Sequence, residues 1–121
     1  MKVNSFVLTV TSEQPEGLVS FYRDVVGLVT KPEMGEGAFD ASGGASFMVD
    51  GHSETKGKAK EPQRVLIDFF VDDLAGEQRR LEDKGVKFIR SAGQEEWGGV
   101  ISTFLDPDGN YCQLIEYKGH E

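Results

Sequence analysis

The first fifty residues begin with a stretch in which apolar positions recur at the spacing of a β-strand, followed by one in which they recur at the spacing of a helix. Residues 3–11 place apolar side chains at every second position, which is the pattern of a half-buried β-strand. Residues 13–26 carry apolar side chains at helical spacing, and Gly27 follows where a helix commonly ends in the left-handed conformation. Three short strand-like runs come next, separated by glycine-rich turns, at residues 28–34, 37–41 and 45–50. This half of the chain therefore predicts a β-α-β-β-β module.

The same order of elements recurs after a polar segment. Residues 51–63 hold three lysines and a proline, and they predict an exposed linker or a mobile flap. A second module follows over residues 64–117, and Asp73 is placed to cap its helix. Its elements are predicted as a strand at 64–72, a helix from 73 to 84, a strand at 86–90 and a closing hairpin of strands at 100–105 and 111–117.

The repeat predicts one α+β domain spanning residues 1–121. It comprises module 1–50, linker 51–63 and module 64–117. Each module has one helix and a short sheet, so neither can cover both faces of its sheet alone. The modules are expected to pair within a chain or by exchange between two chains, with their helices outside and a ligand cavity between their concave inner faces. A homodimer is the expected assembly.

Charge and composition limit the classes of molecule that the chain is expected to bind. The net charge of −8 disfavours nucleic acid and anionic membranes, while it would attract a cationic small molecule. No apolar run approaches the length of about 20 residues that a membrane span needs. The first residues lead straight into a strand pattern, which predicts no signal peptide, and the single cysteine, Cys112, fits a reducing compartment. A cytoplasmic location is therefore expected.

Five motifs, in order along the whole chain, resemble the vicinal oxygen chelate superfamily. This superfamily includes glyoxalase I, bleomycin-resistance proteins and type I extradiol dioxygenases. The resemblance implies tandem β-α-β-β-β modules that form a curved sheet cup with helices outside. The motifs are Phe21-Tyr22-Arg23-Asp24-Val25-Val26-Gly27-Leu28, Phe70-Val71-Asp72-Asp73-Leu74, Leu81-Glu82-Asp83-Lys84-Gly85-Val86, Trp97-Gly98 and Asp106-Pro107-Asp108-Gly109-Asn110.

The resemblance also implies where a metal would bind. Enzymes of this superfamily hold a divalent ion with four side chains from the first and last strands of each module. The corresponding positions here are Ser5, Met48, Leu66 and Gln113. Divalent metals require imidazole nitrogen or carboxylate oxygen in most coordination positions, so this set predicts no metal and no cofactor. Catalysis through a metal at these positions is not expected.

Strand parity predicts which side chains line the cup. In the second module, Leu66, Asp68 and Phe70 share one face, and four apolar residues face the helix as core: Val65, Ile67, Phe69 and Val71. The predicted ligand-binding set is Ser5, Val7, Met48, Asp50, Leu66, Asp68, Phe70, Trp97, Tyr111 and Gln113.

Asp68 is the most informative member of that set. An unpaired carboxylate is costly to bury, so Asp68 is expected to pair with Arg64 or Arg90, to stay solvated, or to meet a cationic ligand. Trp97, Phe70 and Tyr111 could stack on a planar or cationic ligand; ordinary packing is the alternative for each, and it is favoured for Phe70.

An aromatic, acidic and metal-free cup is similar to the drug-sequestering branch of the superfamily. The leading hypothesis is a non-enzymatic small-molecule binding protein, with antibiotic sequestration as one form and a cationic or aromatic drug as the ligand. The alternative is a divergent glyoxalase-like lyase or isomerase, or an enzyme related to the dioxygenases, with an altered or relocated metal site. That enzyme would recruit His52, Glu54, Asp68 and Gln113 to a metal, or use Asp68 as a base without one.

Overall fold

The computed structural model of the chain describes residues 1–117 and contains two small β-sheets. The chain divides into two compact units, the first spanning Met1–Gly57 and the second beginning at Lys58. Each unit combines one sheet with helical segments. The predicted α+β class is therefore confirmed.

The first unit contains a three-stranded sheet. Strand β1 (Phe6–Ser12) leads into helix α1 (Pro15–Ser20), and the hairpin of β2 (Ala38–Asp40) and β3 (Ala45–Gly51) follows. The strand order is β1-β3-β2, with β3 parallel to β1 and antiparallel to β2. The last strand of this unit therefore lies at the centre of its sheet.

The predicted helix over 13–26 has two parts. After α1, Phe21–Val26 continue as a wider π-helical turn. Gly27 ends the segment at φ 87°, and its N–H bonds to the carbonyl oxygen of Tyr22, as the position of this glycine predicted. Tyr22 is fully buried and packs edge-on against Phe47, with the ring centroids 4.9 Å apart. This contact fixes which face of the first sheet is covered by helix.

The strand predicted over residues 28–34 is wrong. Only one isolated bridge, between Thr30 and Phe39, joins this stretch to β2. Pro32–Met34 form a 3₁₀ turn instead. Proline lacks the N–H that a β-ladder requires, and the glycine at position 35 lets the chain turn back at φ 124°.

The second unit contains a four-stranded sheet. Its elements are β4 (Leu66–Phe70), α2 (Leu74–Asp83), β5 (Phe88–Gln94), β6 (Val100–Leu105) and β7 (Tyr111–Glu116). The order is β4-β7-β6-β5; β4 and β7 are parallel, and the other pairs are antiparallel. Asp73 caps α2, since its side chain accepts a hydrogen bond of 3.1 Å from the Gly76 N–H. Strand β5 runs longer than predicted and is irregular, with two shifts of register against β6.

The turn between β6 and β7 is built around a buried carboxylate. Asp106 Oδ1 accepts hydrogen bonds of 2.9 Å from the backbone N–H groups of Asp108 and Asn110, and Oδ2 accepts one of 2.8 Å from the Asn110 side chain. Gly109 has φ 83°, a conformation that favours glycine. These contacts explain why the motif predicted a hairpin, and they fix the register in which Thr103 lies opposite Gln113.

Strand parity in the second unit is largely as predicted. Ile67 is buried and Phe69 is partly buried, while Leu66, Asp68 and Phe70 alternate with them and are exposed. The prediction that Val65 belongs to the core is wrong, because 56% of this residue is exposed. Val65 precedes β4 and follows the 3₁₀ turn Pro62–Arg64, so the alternation that sets the faces of β4 does not extend to it.

The segment 51–63 is mostly exposed, yet it is hydrogen-bonded at several points. In the first unit, the hydroxyls of Thr55 and Thr11 lie 2.7 Å apart, and the Gly57 N–H donates to Glu13 Oε1 over 2.9 Å. In the second unit, the Ala59 N–H donates to the Asp108 carbonyl oxygen over 2.8 Å. Within residues 1–117, no helix combines the length and the apolar character that a membrane crossing requires.

Candidate functional site

The face of the second sheet opposite its buried side gathers five of the predicted site residues. In the register of β4 and β7, Leu66 lies beside Tyr111 and Asp68 lies beside Gln113. Phe70 follows two positions after Asp68, on the same face. The neighbouring strand positions Ile67 and Cys112 point the other way and are buried.

This face exposes more apolar surface than a solvated sheet normally does. Phe70 is 68% exposed and Leu66 is 44% exposed, and both flank Asp68 along one strand. Contiguous exposed apolar surface with a polar group in it commonly marks a binding surface. The favoured expectation of ordinary packing for Phe70 is wrong, because most of this side chain is exposed.

Asp68 has no ionic partner among the described residues. The predicted salt bridge with Arg64 or Arg90 is wrong, because Arg64 pairs with Glu61 over 3.5 Å and Arg90 pairs with Glu95. In both cases the arginine bonds to a carboxylate only a few residues away in sequence. Partial burial raises the pKa of Asp68 above its ordinary value. The carboxylate is thus partly desolvated without a compensating charge.

Gln113 is held by a neighbour rather than left free. Its Nε2 donates a hydrogen bond of 3.1 Å to the Thr103 hydroxyl, on the adjacent strand β6. Thr103 is buried, so the bond fixes the amide beside Asp68. The position that the resemblance assigns to a metal ligand therefore carries a neutral, anchored amide.

An exposed aromatic pair joins the loop between β5 and β6 to the residue that follows β7. Trp97 and Tyr117 meet with ring centroids 5.5 Å apart and planes at 60°, and both are partly exposed. The Trp97 ring lies over the backbone of Gly99, where an added Cβ would come within 2.0 Å of ring atoms. Tyr117 is not in the predicted ligand-binding set, although it follows Ile115 by two positions and Gln113 by four and so continues their alternation.

The first unit presents a second face with predicted residues on it. Val7 lies beside Ser46 and Thr9 lies beside Met48, on the side of the sheet opposite Phe47 and Tyr22. Ser5 precedes β1 and is exposed. Asp50 is exposed at the end of β3, where its Oδ1 accepts a hydrogen bond of 2.8 Å from the Gly51 N–H.

Three residues outside the predicted ligand-binding set lie together on this face. Lys31 Nζ donates a hydrogen bond of 3.0 Å to the Ser46 hydroxyl, which in turn donates to the Met34 sulfur over 3.3 Å. The predicted strand over 28–34 concealed this arrangement. Because that stretch turns at Pro32 instead of pairing along β2, it brings Lys31 and Met34 over the sheet.

A groove of about 860 Å³ also lies in the first unit, between α1 and residues 30–37. Met48 and Asp50, both predicted site residues, form part of its lining at the end of β3. Its other charged groups are Glu16, Arg23 and Glu36, and Arg23 is bonded through two nitrogens to Asp24 at 2.8 and 2.9 Å. The volume suits a small ligand, although most of the lining side chains are exposed to solvent.

The four positions that correspond to metal ligands do not fit a divalent ion. Leu66 has no donor atom, Met48 offers a soft thioether, and Ser5 and Gln113 offer neutral oxygens. Within residues 1–117, no three side chains of the His, Cys, Asp and Glu types come together in a way that could hold a metal. His52 Nδ1 accepts a hydrogen bond of 3.1 Å from the Glu54 N–H, and His120 lies outside the described residues.

Comparison with known proteins gives one family and a set of similar folds. Residues 3–114 match the family model described as Glyoxalase/Bleomycin resistance protein/Dioxygenase superfamily. An uncharacterized protein of Bacillus subtilis, YetH, is 34% identical over 59 residues, which is 49% of this chain and 48% of that protein. The chain thus matches about half the length of this curated relative.

Two solved structures illustrate the likeness of fold. A superfamily member from Sphaerobacter thermophilus superposes with a TM-score of 0.72 at 18% identity, covering 95% of this chain and 98% of that one. A glyoxalase/bleomycin resistance protein/dioxygenase from Nocardioides gives 0.71 at 16% identity, covering 100% and 88%. Identities this low concern the fold alone.

Proposed function

The chain belongs to the glyoxalase/bleomycin resistance protein/dioxygenase superfamily, and from this premise we propose that it binds a cationic aromatic small molecule without using a metal. The observation that carries the proposal is Asp68: a partly desolvated carboxylate without an ionic partner in the described chain, flanked by the exposed side chains of Leu66 and Phe70. A ligand with a positive charge and an apolar body complements both features.

Aromatic side chains support the choice of ligand. Phe70, Trp97 and Tyr117 all expose ring surface in the second unit. Ring faces attract organic cations through their quadrupole, by about 0.5–2 kcal/mol for each well-placed contact. The net charge of −8 adds a long-range attraction for cations.

The donor set supports binding without metal-dependent chemistry. The superfamily's metal chemistry requires a coordinated ion, and the residues at the corresponding positions supply no carboxylate or imidazole. Gln113 keeps its amide nitrogen bonded to Thr103. A protein with this set can hold a ligand by stacking and charge, and it has no group at those four positions to polarise a carbonyl through a metal.

The test is calorimetric titration of the purified protein with metal-free bleomycin and with 4-phenylbutylammonium. Asp68→Asn keeps the size of the side chain and removes its charge, so we expect at least a tenfold loss of affinity for the ammonium probe. Asp72→Asn is the matched control, since Asp72 is an exposed aspartate outside the strands, and it should bind as the unmodified protein does. Equal affinities for all three proteins would contradict the proposal, as would a stoichiometric metal in the purified protein.

Sequestration of an antibiotic is the specific form of this function that we propose. It predicts that expression of the chain raises the concentration of bleomycin needed to inhibit a sensitive bacterium. Because binding does not change the drug, mass spectrometry should recover it intact after incubation with the protein. A modified drug would indicate an enzyme instead, and Asp68→Asn should abolish protection without changing the amount of protein.

We also propose that the chain functions as a homodimer. Both β1 and β4 are edge strands of their sheets, and each carries a strongly exposed phenylalanine, Phe6 at 64% and Phe70 at 68%. Free edges and apolar faces are usually covered in a native assembly. Light scattering coupled to chromatography should give a dimer that Phe6→Glu weakens, whereas Val29→Glu, at an equally exposed residue outside the strands, should leave it intact. A monomer at all concentrations would contradict this.

A further inference from the structure

A half-buried lysine, Lys31, lies on the face of the first sheet that is opposite Phe47 and Tyr22. Lys31 Nζ donates to the Ser46 hydroxyl at 3.0 Å, and Ser46 is only 4% exposed. The Ser46 hydroxyl in turn donates a hydrogen bond of 3.3 Å to the Met34 sulfur. The serine is thus fully engaged, and it holds the lysine ammonium in a defined position.

The register places this cluster on one side of the sheet. Ser46 lies beside Val7 in β1 and opposite Asp40 in β2, one position away from Phe47. Because Phe47 packs against the buried Tyr22, the Ser46 side chain points away from the helical layer. Lys31 therefore covers the sheet face that α1 leaves open.

Lys31 forms no ion pair with a carboxylate of the described chain. Its hydrogen bond to Ser46 uses one of three ammonium donors. A partly buried ammonium loses hydration, and only an anion or strong acceptor compensates for that loss fully. The cluster is therefore poised for a negatively charged group.

Apolar and polarizable side chains surround the ammonium. Met34 and Val7 are each more than one third exposed, and Met48 is partly exposed beside Thr9 on the same face. Unbranched methionine side chains adapt to irregular apolar ligands. A free inorganic anion would leave this surface uncovered, whereas a carboxylate attached to a hydrocarbon or ring would cover it.

We propose that Lys31, held by Ser46 and bordered by Met34, Met48 and Val7, is a binding site for a hydrophobic carboxylate. The ligand's carboxylate accepts hydrogen bonds from the two Lys31 N–H groups that Ser46 does not engage, and the ligand's apolar part lies on the methionines and Val7. All residues of this site belong to the first unit, whereas Asp68 belongs to the second.

The experiment titrates the whole protein with phenylacetate and with its neutral isostere phenylacetamide, followed by calorimetry and by NMR of the methionine methyl groups. We expect phenylacetate to bind at least tenfold more tightly than the amide and to shift the Met34 and Met48 signals. Lys31→Gln should weaken phenylacetate binding at least tenfold, and Lys31→Arg should retain most of the affinity. Lys56→Gln is the matched control, because Lys56 is an exposed lysine of the same unit that lies 3.9 Å from Glu13.

Equal binding of the acid and the amide to the unmodified protein would overturn the proposal without any variant, so it stays testable if Lys31→Gln fails to fold. Unchanged phenylacetate affinity in folded Lys31→Gln would overturn it as well. Asp68→Asn should leave phenylacetate binding intact, and Lys31→Gln should leave binding of 4-phenylbutylammonium intact. The failure of one proposal is thereby distinguished from the failure of the other.

Discussion

Gln113 lies beside Asp68 in the parallel pairing of β7 and β4, while its amide nitrogen donates to Thr103 on the opposite neighbour strand. The amide is neutral, so it adds no repulsion to a carboxylate that is already partly desolvated. A glutamate at 113 would place two carboxylates side by side. The amide at position 113 therefore avoids the charge repulsion that a second carboxylate beside Asp68 would cause.

Gln113→Glu is expected to destabilise the protein by about 1–2 kcal/mol at pH 7, from like charges on paired strands and from loss of the bond to Thr103. The loss should be smaller at pH 4, because protonation removes the repulsion. Urea denaturation at both pH values measures it. The variant should still bind no stoichiometric metal, since Leu66 supplies no ligand atom.

Gln94→Glu is the control for this substitution, because Gln94 is an exposed glutamine in β5, a strand that does not pair with β4. It should change the free energy of unfolding by no more than about 0.5 kcal/mol. Equal effects of the two substitutions would show that the neighbourhood of Asp68 has no special cost.

Asp68→Asn is expected to stabilise the protein at neutral pH, by less than about 1 kcal/mol because the side chain is largely exposed and screened. Desolvation raises the folded-state pKa of Asp68, so the folded protein holds the proton more tightly than the unfolded chain does. This favours folding at low pH, and the contribution is lost as the pH rises through the folded-state pKa. The gain from asparagine should therefore be present at pH 7 and vanish below about pH 4, near the ordinary carboxyl pKa.

Thermal or urea denaturation across pH 3–8 measures how Asp68→Asn changes the free energy of unfolding, with Asp72→Asn as the control variant. A destabilised Asp68→Asn protein at pH 7 would mean that the carboxylate has a favourable partner, contrary to the contacts described.

Asp106→Ala is expected to destabilise the second unit by about 2–4 kcal/mol, because it removes three hydrogen bonds to a buried carboxylate and leaves two backbone N–H groups of the turn without their acceptor. Urea denaturation followed by Trp97 fluorescence reports on this unit. Asp106→Asn keeps one acceptor oxygen and should lose less. An alanine variant as stable as the unmodified protein would show that the turn does not depend on this carboxylate.

Ser102→Ala is expected to stabilise the protein by about 0.5–1 kcal/mol. The Ser102 hydroxyl is fully buried in β6, and it has no hydrogen-bond partner among the described residues. Burying an unpaired hydroxyl costs free energy that alanine avoids at little change in volume. A loss of stability in the alanine variant would indicate that a buried water satisfies the hydroxyl.

Local chemistry made part of the fold predictable from the sequence. Asp73 and Gly27 act at helix ends through contacts within a few residues, and Asp106 closes its turn onto Asp108 and Asn110. These signals depend on short-range backbone geometry, which the sequence displays directly. The exposed side of β4 followed from alternation in the same way.

The predictions that were wrong concerned residues whose structure depends on which neighbouring groups they contact. The apolar pattern of residues 28–34 favours a strand, but Pro32 cannot donate to a ladder and the stretch turns over the sheet. The partners of Arg64 and Arg90 are nearby glutamates, which satisfy them without Asp68. Lys31 was missed because its role depends on Ser46, fifteen positions away, and no periodicity connects the two.

In both units the strand that comes last in the chain lies inside the sheet: β3 lies between β1 and β2, and β7 lies between β4 and β6. Neither sheet is therefore complete until its final strand has been synthesised; β5 and β6 can already pair as a hairpin, but β1 and β4 stay unpaired until β3 and β7 follow. A chain cut short after β6 would lose the middle of the second sheet rather than an edge, and β4 would have nothing to pair with. We therefore expect a premature stop between β6 and β7 to leave β4 unpaired, although most of the second unit has been synthesised by then.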